Sequence, residues 1–242
     1  MTKSKLFIAI ALAFSICLVA LSFSAVAGPN ARAVQYPDTV LELFTSQGCS
    51  SCPRANRFVC ETVRREDGVL ALSYSVDYWD YLGWTDTLGK PEFSQRQRIY
   101  AKALTSTPYT PQLILNGDMH KAKFSRKQVT ARTLAAKPKL SLNLDGEGLQ
   151  INIAASDLSA PAVINIVHYT PGEQDISVGA GENKGKTVTL VNVVTDWSHL
   201  ETLAPRQAYN GVIAPPAPGT AIAVLVQDGV GGPVLSAATY SP

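Results

Sequence analysis

The sequence predicts an α/β unit over residues 38–137 followed by a β-rich, sandwich-like unit over residues 138–242. Three observations predict it. Short apolar strands alternate with amphipathic helices up to Pro138. Beyond Pro138 the pattern switches to period-two alternation broken by Gly-rich turns. With 46% hydrophobic and 17% charged residues, the 242-residue chain has ample material for a core and is not of disordered composition.

Lys3 and Lys5 precede an apolar run from Leu6 to Leu21, and Ala25-Val26-Ala27 supplies the small residues of a cleavage site before Gly28. This predicts a cleaved export signal over residues 1–27, with an uncleaved anchor as the alternative. Its loss leaves 19 cations against 19 anions, a neutral chain expected in the periplasm or secreted. Cys17 would leave with it. The near-neutral balance and the lack of a basic run exclude an electrostatically driven nucleic-acid partner, and no membrane association is expected after cleavage.

Val40–Phe44 reads as a strand, Pro53–Glu66 as a helix ended by Asp67-Gly68, and Val69–Val76 as a second strand. Pro91 opens a further helix with Phe93, Tyr100 and Leu104 on one face. Leu113–Leu115 is a strand closed by Asn116-Gly117, and Ser125 with Gln128 has capping-box spacing for a helix reaching Lys137-Pro138. In the second unit, Leu140–Leu144 and Leu149–Ile153 form a hairpin around Asp145-Gly146-Glu147-Gly148. Four more strands are predicted at Ala162–Tyr169, Thr187–Val194, Thr220–Gln227 and Pro233–Tyr240.

The sharpest chemical feature is Gly48-Cys49-Ser50-Ser51-Cys52-Pro53, a C-x-x-C where a strand ends and a helix begins. The unpaired N–H groups and positive dipole end of a helix start stabilise a thiolate, so Cys49 is the candidate nucleophile. Cys52, one turn on, could resolve a mixed disulfide on Cys49. A static disulfide closing so short a loop would stabilise little. Zinc needs further ligands, and His120, His168 and His199 are scattered singly, so no metal site is expected. Copper or another soft metal or ligand on the same sulfurs remains the alternative, with a non-catalytic interaction module as another. Cys60 lies eight residues from Cys52, about 12 Å along a helix, and reads as a small buried hydrophobe.

These residues, with Tyr109-Thr110-Pro111-Gln112-Leu113-Ile114-Leu115-Asn116-Gly117, resemble the thioredoxin superfamily. Glu42–Pro53, Val76–Trp84 and Gly181-Glu182-Asn183-Lys184-Gly185 resemble more closely one secreted thioredoxin-like family catalogued as domain of unknown function 1223. The resemblance implies a thioredoxin-like N-terminal domain, a cis-proline at Pro111 opposite the dithiol, and substrate pairing with the Thr110 backbone. It implies thiol–disulfide exchange with a protein or small-molecule partner. Gly48 and Leu43 depart from thioredoxin, which has Trp and a buried acid there. Glu42 is then the nearest acid in sequence, a candidate proton acceptor for Cys52 if buried and a solvated edge residue if not.

Tyr74, Tyr78, Trp79, Tyr81 and Trp84 crowd five of nineteen aromatics into eleven residues. Trp79 and Trp84 are candidate substrate-binding residues; the other reading is a loop packed over the sheet. Gly179–Thr187 ends like a phosphate loop, but Ala180 stands where its first glycine is required, so it reads as a β connection. The function expected is thiol–disulfide oxidoreduction by Cys49 and Cys52, with no organic cofactor.

Overall fold

The computed structural model describes residues 33–242; the expected export signal and Cys17 lie outside them. The strands are β1 (Ala33–Gln35), β2 (Thr39–Thr45), β3 (Val69–Ser75), β4 (Gln112–Leu115), β5 (Met119–Lys121), β6 (Leu140–Leu144), β7 (Leu149–Ile153), β8 (Ala162–Ser177), β9 (Thr187–Leu203), β10 (Tyr209–Ile213), β11 (Ala221–Asp228) and β12 (Val234–Ser241). The helices are α1 (Cys52–Arg65), α2 (Pro91–Ala103) and α3 (Arg126–Thr130). No described helix is long and apolar enough to cross a membrane.

The expected fold class is overturned. In place of a thioredoxin-like α/β domain followed by a separate sandwich, the described residues are mostly β, and strands from both sides of Pro138 share one nine-stranded sheet. Its order is β1-β12-β11-β8-β9-β3-β2-β4-β5. The join is made by β9, whose ladder with β8 is irregular and whose first half runs parallel to β3 at Ser73 and Val193. Ser73 Oγ donates to the Val191 carbonyl (2.7 Å), and Asn192 Nδ2 donates to the Ala71 carbonyl (2.9 Å). Side chains thus supply bonds where the ladder is incomplete. The physical reason for the error is strand length. The period-two pattern marks β8 and β9 only as far as Tyr169 and Val194, whereas β8 reaches Ser177 and β9 reaches Leu203. These long arms bridge the two halves.

Alternation on β2 decides which layer each side chain joins. Leu41 and Leu43 pack with Ala55, Val59 and Cys60 of α1 and with Leu113 and Leu115 of β4. Val40 and Phe44 face the other way, into a core with Phe93 and Tyr100 of α2 that continues through Leu72 and Tyr74 to Val167, Ala223 and Leu225. A second sheet, β10-β7-β6, packs Leu149, Ile151 and Ile153 against Ile164, Val224 and Tyr240 of the large sheet. The Ser125–Gln128 capping box is formed, but α3 ends at Thr130.

Candidate functional site

β2 delivers the chain at Thr45 to a tight loop in which Gly48 N–H donates to Ser46 Oγ (3.0 Å) and Cys49 N–H to the Ser46 carbonyl (3.2 Å). α1 then starts at Cys52, with Pro53 in its first turn, where the missing N–H costs nothing. Cys49, Cys52 and Cys60 are free thiols. Cys49 is 3% exposed and Cys52 wholly buried, while the intervening Ser50 and Ser51 are exposed. The first sulfur therefore lies just beneath the surface.

The two acidities are driven apart. The hydrogen bond from Cys52 is the chief reason that Cys49 is held down at about 5; burial opposes it, and the Ser51 and Thr110 hydroxyls and the Ser51 N–H assist. Ser51 Oγ lies 3.3 Å from Cys49 Sγ. Burial pushes the Cys52 thiol well up, and its hydrogen bond to Cys49 and the charge there raise it further. Cys60, in the layer under α1, is pushed up to about 11, chiefly by burial.

Thr110 and Trp79 are brought to the dithiol. The Thr110–Pro111 bond is cis. Trp79 Nε1 donates to Thr110 Oγ1 (2.7 Å). An indole N–H can only donate, so the Thr110 hydroxyl keeps its own proton available for Cys49. A Cβ built on Gly48 would stand 3.4 Å from Trp79 Cβ and 3.6 Å from its carbonyl oxygen, so the Trp79 segment packs against the glycine that precedes Cys49. Trp79 also stacks on Tyr81, which is 77% exposed (centroids 6.2 Å apart). Thr110→Val should raise the midpoint of Cys49 alkylation by about one pH unit, the worth of one hydrogen bond to a charged group. An unchanged midpoint would exclude Thr110 from holding the thiolate.

Two expected site residues go elsewhere. Glu42 is buried but sits on the α2 side of β2, the opposite side from α1 and Cys52. Arg96 Nε and Nη2 grip its two oxygens at 2.6 and 3.0 Å, and Tyr100 Oη donates to one of them. Strand alternation separates it from the dithiol, so it does not receive a proton from Cys52. The groups beside Cys52 are instead the Thr45 hydroxyl, which donates to Asn56 Oδ1 (2.8 Å), and the Ser46 N–H. Trp84 is a packing residue: its Nε1 donates to Gln47 Oε1 (2.8 Å), and its ring lies against Gly179, where an added Cβ would meet it at 2.8 Å.

The residues that sequence reading missed come from the far end of the β8–β9 hairpin and from the aromatic loop. Asn183, wholly buried, donates through Nδ2 to the carbonyls of Gln47 (2.9 Å) and Cys49 (2.8 Å). Glu182 accepts from Ser50 N–H at 3.0 Å, and the Ser50 hydroxyl first, with that N–H, holds its carboxyl below the usual range. Asp86, raised by burial, accepts from Gln47 N–H (2.7 Å). The Gly-Glu-Asn-Lys-Gly pattern was the visible signal for the hairpin contact, without its destination. Among the described residues no group of three or more His, Cys, Asp or Glu side chains is placed to hold a metal ion. A cavity of about 810 Å³ lined by Tyr36, Val63, Tyr169 and Asn192 includes none of the dithiol residues.

Fold and site together define a mixed-sheet protein with a pair of cysteines at a helix start, held under a hairpin from the second half of the chain. Residues 40–227 match the family described as "Protein of unknown function (DUF1223)", and the chain belongs to that family. No curated protein matches. Among solved structures, the chain is similar to a protein from Agrobacterium tumefaciens, at 27% identity and TM-score 0.64, over 86% of this chain and 95% of that one. It is also similar in fold to HBP35 of Porphyromonas gingivalis, at 13% identity and TM-score 0.56, over 85% of this chain and 75% of the other.

Proposed function

We propose that this protein is a thiol–disulfide oxidoreductase that works outside the cytoplasm on a protein or small-molecule thiol or disulfide. The observation that carries this reading is the pairing of Cys49 and Cys52 at the start of α1 with acidities driven in opposite directions, beside the Thr110–Pro111 turn. The resemblance of these two segments to thioredoxin-superfamily motifs supports the chemistry and is not extended to the fold.

In the reductive direction the Cys49 thiolate attacks one sulfur of a partner disulfide, forming a mixed disulfide and releasing one partner thiolate. Two of the causes that keep Cys52 protonated, its hydrogen bond to Cys49 and the charge on that sulfur, then vanish. Cys52 loses its proton to the departing thiolate or to solvent and attacks Cys49 Sγ. The Cys49–Cys52 disulfide forms, the second partner thiol leaves, and two electrons have passed to the partner. Electrons move only between sulfurs, so no organic cofactor enters. The reverse sequence oxidises a partner dithiol.

The test is a Cys52→Ser variant. The reduced variant should accumulate a mixed disulfide on Cys49 with an added disulfide such as cystine, visible by mass as one partner half per chain and reversed by reductant. Wild type under the same conditions should pass on to the internal disulfide. Failure of the variant to trap any partner half would overturn the reading.

A further inference from the structure

The reading above leaves Glu182 unused, yet the fold places its carboxylate at the reacting loop and fixes it there. Oε2 accepts from Ser50 N–H, the residue immediately after Cys49, at 3.0 Å. The segment carrying it is pinned by the fully buried Asn183, whose amide holds the Gln47 and Cys49 carbonyls, and Lys186 Nζ in turn donates to Asn183 Oδ1 (3.0 Å). Backbone N–H groups at a helix start ordinarily welcome an anion. Here the N–H of Ser50, one residue before the N-cap Ser51, is already taken by the protein's own carboxylate, and that carboxylate is solvent-exposed, where an arriving partner meets it.

We propose that Glu182 sets partner charge at Cys49. Exchange is favoured with disulfides whose sulfurs are flanked by neutral or cationic groups and disfavoured with those flanked by carboxylates. The inference rests on the redox reading and names its substrate class. Its basis is Coulombic: a carboxylate bonded to the residue next to Cys49 attracts a partner ammonium and repels a partner carboxylate. Other charges near the loop are Lys184 and Lys186, both exposed, Asp80 beside Trp79, and the exposed Arg54 and Arg57 in the first turns of α1. All of them remain in a Glu182 variant, so the difference between variant and wild type isolates the one carboxylate.

The experiment oxidises the reduced full-length protein with three small disulfides of similar size: cystamine (dication), hydroxyethyl disulfide (neutral) and dithiodipropionate (dianion). Each is run in wild type and Glu182→Gln, following loss of the Cys49 and Cys52 thiols by mass. Glutamine keeps an oxygen to accept from Ser50 N–H and removes only the charge. At an ionic strength of about 0.01 M the ratio of cystamine to dithiodipropionate rates should fall roughly five-fold in the variant, with the neutral disulfide little changed. High salt should shrink the wild-type ratio toward that of the variant. A ratio unchanged by Glu182→Gln overturns the charge-selection proposal while leaving the redox reading standing. If none of the three disulfides oxidises the wild-type pair, the redox reading itself fails, and the proposal with it.

Discussion

Arg96→Met should destabilise the protein by about 3–5 kcal/mol in urea unfolding, because it strands the Glu42 carboxylate in the core. The two side chains are 3% and 1% exposed and meet at 2.6 Å. The guanidinium lies 5.0–5.6 Å from the ring centres of Tyr74, Tyr100 and Trp197. Hydrogen bonds extend the pair: Arg96 Nη2 donates to Tyr100 Oη (3.0 Å), Gln227 Nε2 donates to the same oxygen (3.2 Å), Asn165 Nδ2 donates to Gln227 Oε1 (2.9 Å), and Trp197 Nε1 donates to Asn165 Oδ1 (3.1 Å). The network ties β2 and α2 to β11, β8 and β9, so its loss is felt across both halves of the chain.

A paired Glu42→Met, Arg96→Met variant should recover much of the loss, since neither charge is then buried alone. The same experiment separates structure from chemistry. In folded Arg96→Met protein, Cys49 alkylation should keep its wild-type pH midpoint, because the pair and the dithiol lie on opposite sides of β2. A destabilisation below about 1 kcal/mol, or a moved midpoint, would contradict this account.

Cys49 in the reduced protein should alkylate with a midpoint near pH 5, while Cys52 stays unreactive through neutral pH. At pH 6 a thiol with the ordinary value of about 9 is about one part in a thousand ionised, and Cys49 is mostly thiolate. Nucleophilicity falls as acidity rises, which returns most of that advantage. The net expectation is about ten-fold faster reaction with iodoacetamide at pH 6 than in the urea-unfolded chain. A midpoint near 8 or 9 would remove the distinction between the two sulfurs.

The same shift fixes a sign for stability. The folded value of Cys49 lies below its unfolded value of about 9, so its contribution to the reduced form is complete above pH 9 and is lost as pH falls towards 5. Cys52 acts oppositely, and only above pH 9, where the unfolded thiol ionises and the folded one does not. Relative to Cys49→Ser, the reduced wild type should therefore gain stability from pH 5 to 9. The midpoint potential of the pair should fall by about 59 mV per pH unit below pH 5 and by about 30 mV above it, as one proton rather than two accompanies the two electrons.

The local part of the site was legible because its physics is local. A strand end, Gly48, two cysteines at helix-turn spacing and Pro53 specify a helix start within a few residues, and Thr110-Pro111 before a short strand is equally compact. Glu42 shows where such reading ends. The apolar strand around it left burial and solvent exposure both open, and the direction of its side chain depended on which face of β2 received α1. Its partner Arg96 stands 54 positions away.

The sequence by itself determined the dithiol, the cap residues, the hairpin of β6 and β7, and the helices at Pro53 and Pro91, all set by neighbours a turn or a pleat apart. Only the tertiary structure decided that β9 would run beside β3 and merge the two halves into one sheet. It also brought Glu182 and Asn183 across more than 130 positions to the loop of Cys49. Backbone pairing and buried amide bonds are satisfied by whichever strand and loop arrive in three dimensions, and short-range periodicity carries no record of that choice.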